Sequence, residues 1–246
     1  MSRITNYAAA ALCAVPALAM IQPAQAGAKE SHELAMQYIE MTDIVSKKIE
    51  QLEDSMGEPF AEFAAIELAS VYIMRSQILH ELSQESGLTD ADIDKMKAKV
   101  AANEKRDSAN IAAIMQTEVE DMPLTVKAAL MILKVGTEPT DAEEIELVSM
   151  SCVALILKDF EVTGVLLQSI KDAQSAKDVA EIIDLLDTHA SVLVRYLRKI
   201  DPDKYDELSE IASEEIQTIL STLKSLKKAK YYGNATLREY GERKSD

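Results

Sequence analysis

Seven residues, Val179, Ile182, Leu186, His189, Leu193, Tyr196 and Ile200, follow one another at alternating steps of three and four. That rhythm returns to one side of an α-helix every turn, so the segment must bury a helical seam against something else. A strand would need period two, which is absent here. The rhythm recurs in Tyr205, Leu208, Ala212, Ile216, Ile219, Leu223 and Leu226. Residues 141–173 carry it twice. One stripe runs through Ile145, Val148, Cys152, Leu155, Val162 and Leu166, the other through Met150, Val153, Leu157, Phe160 and Leu167. A helix apolar on two sides is enclosed by others, which predicts a central place for this one.

The punctuation agrees with helix nearly throughout. Gly57-Glu58-Pro59, Gly87, Gly136 to Pro139, Asp201-Pro202 and Gly233-Asn234 stand where periodic stretches stop. Three starts show the capping-box pattern, in which two side chains satisfy free amides of the first turn: Thr89 with Asp92, Thr140 with Glu143, Ser175 with Asp178. Asp201 before Pro202 sets a cap before a proline suited to the first helical position. These signals predict helices at 31–56, 59–85, 90–121, 123–135, 141–173, 176–200 and 202–232. The fold class expected is all-α, an antiparallel multi-helix bundle of six or seven helices joined by short links.

The N-terminus is read differently. Arg3 precedes Ile4 to Ile21, a run without charge that contains seven alanines, and Ala24-Gln25-Ala26 offers the small residues a signal peptidase needs. Residues 1–26 therefore read as a cleaved signal peptide. Residues 27–233 read as the bundle, with a sub-lobe boundary at 136–140, and 234–246 as a basic polar tail. Export implies a periplasmic or extracellular location. Cleavage removes Cys13 and leaves Cys152 alone, so stability must come from packing rather than from an internal disulfide. It also removes Arg3, leaving 25 basic against 42 acidic residues, a net charge of −17. That excess repels phosphate backbones and argues against nucleic acid as a partner. Beyond the signal, the charge-free stretch Leu147 to Leu157 is too short to span a bilayer, so no transmembrane segment is expected in the mature chain.

Candidate chemistry is sparse. His189 sits at a seam position where Leu or Ile belongs, and a buried imidazole suits a proton relay or a ligand site. Asp159 lies on a stripe of the fifth predicted helix. Asn103 and Asp107 interrupt the stripe Ile93, Met96, Val100, Ile111, Met115. Either they line a polar pocket, or residues 103–110 are an exposed section or a break, with Asp107 or Ser108 recapping the chain. A ligand site built from His189, Asp159 and Asn103 is the polar constellation the sequence offers.

A carboxylate-metal bundle needs Glu-x-x-His pairs, yet Leu186 and Gln77 precede His189 and His80 by three, and His32 falls in a stretch expected to fray. Asp90, Asp92 and Asp94 imitate a calcium loop, but Lys95 replaces its glycine and Ala101 its closing glutamate. Cys152 reads as a core thiol. No metal and no cofactor is expected.

Lys227, Lys228, Lys230, Tyr231 and Tyr232 reverse the general charge and form a basic, aromatic contact candidate, although lysines also complement a helix C-terminus. No phosphate-binding loop, HExxH, GxSxG or paired-cysteine motif is present. The function expected is an exported, non-catalytic bundle acting through protein or cell-envelope contacts, with homo-oligomerisation through helix packing open to it. A helical ligand-binding protein with a polar site near His189 stands second, and an enzyme of unidentified class third.

Overall fold

The computed structural model describes residues 28–58, 60–85, 87–116, 122–169 and 175–211, with the side chains of 28, 29, 164–187 and 211 outside that set. These residues form seven helices and, among them, no strand: α1 (Ala28–Ser55), α2 (Ala61–Gln84), α3 (Asp90–Met115), α4 (Leu124–Val135), α5 (Ala142–Ser169), α6 (Ser175–Ile200) and α7 (Pro202–Ile211). The all-α multi-helix bundle is what the periodicity requires. The expected signal peptide, the basic cluster at 227–232 and the tail at 234–246 lie outside the described residues.

The described helices belong to two compact units, one ending at Glu138 and one running from Pro139. In the N-terminal unit α2 packs against both α1 and α4. Its residues Ala64 to Val71 are buried without interruption, more than two full turns, so every side of the helix is covered. This is an enclosed helix, yet the sequence does not advertise it, because three of the eight residues are alanine and the run includes Glu67 and Ser70. The enclosing side chains include Leu52 of α1 and Val126, Ala129 and Ile132 of α4, all fully buried. Gly136 closes α4 at φ +90°, a conformation that favours glycine, and its N–H reaches the Ile132 carbonyl at 2.9 Å.

In the C-terminal unit α6 packs against α5 and α7. Val148, Cys152, Leu155 and Ile156 of α5 are fully buried, as are Leu193 and Leu197 of α6 and Leu208 of α7. The second apolar stripe of α5 is enclosed only in part, at Phe160, which is buried. Met150 is 52% exposed, and Val153 and Leu157 are half-buried. The first stripe thus carries more of the described packing of this helix, and Leu166 and Leu167 lie outside the described side chains.

Ser175 with Asp178 lies outside the described side chains; the other expected caps follow the sequence with one change of register. Thr89 and Asp92 form the complete capping box. Asp201 Oδ1 accepts from the Lys204 N–H at 3.0 Å ahead of Pro202. At α5, however, Asp141 is the cap, accepting from the Glu144 N–H at 2.9 Å, while the N–H and hydroxyl of Thr140 both donate to Glu144. The box is displaced one residue from Thr140–Glu143 because Glu144, not Glu143, reaches back. Helix α3 ends at Met115, short of the expected 121. No described helix is long and apolar enough to cross a membrane.

Candidate functional site

The N-terminal unit holds its third helix by hydrogen bonds. His32 Nδ1 on α1 lies 2.7 Å from Asp92 Oδ1. Asp43 accepts from Lys99 Nζ at 2.7 Å and from Asn103 Nδ2 at 3.1 Å. Ser46 Oγ donates to Asp107 at 2.6 Å. The numbers on the two helices rise together, so α1 and α3 run in the same direction. Between α1 and α2 they run oppositely: Ser31 donates to Glu85 at 3.2 Å and Lys48 to Glu67 at 2.9 Å.

Asn103 and Asp107 are therefore neither a break nor a recapping point. Helix α3 passes through both without interruption, and both face α1. His32, assigned by sequence to a fraying end, sits in the first turns of α1 and braces the α3 cap. The Asp90–Asp92–Asp94 run opens a helix, and Asp92 is occupied by Thr89 and His32 rather than shaped as a cation loop.

These contacts tune two carboxylates. The Lys99 ammonium, with help from the Asn103 amide, holds Asp43 below its ordinary 3.8. Hydrogen bonds from Thr89 first, and then His32, do the same for Asp92. A carboxylate whose folded pKa is depressed contributes stability above its unfolded pKa and loses it as pH falls through the folded value. Thermal melts should therefore lose stability progressively below about pH 4. Asp43→Asn should flatten that acid slope, and an unchanged slope would show that the Asp43 contacts do not hold in solution.

Attached to α1 by this polar seam, α3 turns its apolar stripe elsewhere. Leu79 and Leu82 of α2, Leu88 of the link, and Met96 and Val100 of α3 line an open groove with Tyr38 of α1, with a cavity volume of about 440 Å³. Leu79 is 45% and Val100 39% exposed, whereas Leu82 beneath them is 2% exposed. Lys97 and Glu104 stand on the α3 rim. The sequence did hint at this site. The stripe Ile93, Met96, Val100 has Lys97 and Glu104 beside it, and only the partners of the adjacent polar positions were hidden.

His189 on α6 and Asp159 on α5 are each 1% exposed, within the C-terminal unit. Asn103 belongs to the N-terminal unit, where Asp43 engages its amide. Cys152 is fully buried, and burial pushes its thiol far up, which disfavours the thiolate a nucleophile requires. His80 lies 3.3 Å from Glu138 at an exposed position. Lys227, Lys228, Lys230, Tyr231 and Tyr232 lie outside the described residues. Among the described residues, no three His, Cys, Asp or Glu side chains are grouped to hold a metal ion.

No protein-family model, curated protein or solved structure matches this chain.

Proposed function

We propose that this chain is an exported, non-catalytic helical protein that acts through protein contacts in the cell envelope, using the groove between α2 and α3. The observation that carries this reading is the partial exposure of Leu79 and Val100 on an open apolar groove. Apolar surface costs about 25 cal/mol per Å² when left in water, so a partner's apolar face covering Leu79 and Val100 would be favourable. An amphipathic helix laid into a groove is the recognition mode that fits two helical walls. The buried Cys152 thiol supports the non-catalytic part.

The test is a photo-cross-linking residue placed at Val100 in cells that export the protein, with the exposed Glu50 as control position. Position 100 should give a discrete protein adduct and position 50 none. The adduct's exported component should begin at Gly27. Equal labelling at both positions, or a chain retaining Met1, would sink the respective half of the reading.

The second reading is a ligand-binding bundle, favoured by the burial of two polar side chains, Asp159 and His189. Native mass spectrometry of the purified protein distinguishes it, since a bound small molecule lost on His189→Ala would move that reading to first place.

A further inference from the structure

We infer that the occupant of the α2–α3 groove is a second copy of this chain, docked so that the two α3 helices run antiparallel about a two-fold axis. The inference rests on reading the groove as a protein-contact surface, and it derives from the order of residues along one helix face. Lys97, Val100, Ala101 and Glu104 are all exposed, on the side of α3 that lines the groove. Lys97 and Glu104 carry opposite charges seven residues apart, two helical turns or about 10.5 Å. Neither takes part in an ion pair within the described chain.

A two-fold interface is self-complementary: if residue i meets residue j of the partner, j meets i. Centre the axis between Val100 and Ala101, and Lys97 of each copy stands opposite Glu104 of the other, twice. The same register sets Val100 against Ala101, a larger side chain beside a smaller one, which lets two helices approach closely. Leu79, on the α2 wall of the same groove, is the side chain that such a copy would meet next. A parallel arrangement would put Lys97 against Lys97 and Glu104 against Glu104, so the charges select one orientation. A foreign helix has no comparable reason to match this pattern, whereas a second copy matches it by symmetry.

The experiment measures self-association of the purified full chain by sedimentation equilibrium, with charge exchange at the two positions. The chain should dimerise. Lys97→Glu and Glu104→Lys should each weaken dimerisation about tenfold, since each replaces two attractive contacts by repulsive ones. The double variant, in which the charges are exchanged, should regain it. Both side chains are exposed, so neither single change threatens the fold.

Failure of the double variant to recover would overturn the antiparallel register. A monomer at every concentration would overturn the inference. If that monomer still cross-links through Val100 to a different protein, the contact reading stands and the second copy does not. If position 100 cross-links to nothing, both fall. An adduct of twice the chain mass supports the inference.

Discussion

Lys48→Met should destabilise the protein by about 3–5 kcal/mol, the largest loss expected from any single polar substitution in the N-terminal unit. The Lys48 ammonium and the Glu67 carboxylate lie 2.9 Å apart with side-chain exposures of 4% and 5%. Removing both charges from water costs several kcal/mol per ion, which their mutual attraction offsets only while both are present. The methionine side chain fills the volume but withdraws the Lys48 ammonium from the Glu67 carboxylate, which lies within the enclosed run Ala64 to Val71.

The corollary separates pair energetics from packing. Lys48→Met combined with Glu67→Leu removes both charges, and replacing a buried pair by apolar groups of similar volume is often neutral or stabilising. The double variant should therefore recover most of the loss in urea unfolding, with an unchanged slope. If it is no better than the single variant, the loss comes from disturbed packing of α1 on α2, and the ion pair is not what the position requires.

That pair also shows where sequence reading reaches its limit. Helix existence was legible because its signals are local: the Thr89–Asp92 box and the Asp201–Pro202 start each lie within four residues. Tertiary polar contacts are not local. Asn103 looked like a flaw in a stripe because its partner, Asp43, stands 60 residues earlier. Asp107 looked like a new cap because Ser46 is equally remote.

Periodicity within one helix reports that a face is special but not which neighbour it meets. The same blindness passed over α2, which is enclosed partly through alanines, in favour of α5, whose leucines and valines are conspicuous. Small side chains permit close approach without raising apolar content. The groove was half legible: its α3 stripe is visible in sequence, but whether α2 closes over that stripe is decided by how α1 seats both helices.

Two leucines on successive turns of α2 test that last point directly. Leu82 is 2% exposed and Leu79 45% exposed, and both line the groove. Leu82→Ala deletes a side chain buried among α1, α2 and α3 and should cost about 2–5 kcal/mol, the loss of transfer free energy plus that of the cavity left behind. Leu79→Ala removes one that already meets water and should stay within about 0.5 kcal/mol in dilute protein. Raising the protein concentration should open a further difference for Leu79→Ala alone. A second copy covering Leu79 stabilises the folded state by mass action, and the truncated side chain loses that contribution. Melting curves at two concentrations read all of this without a known ligand. Equal losses for the two variants in dilute protein would mean that Leu79 is covered within the chain. The groove would then be closed in solution, and the exposed apolar surface on which the contact reading depends would not exist.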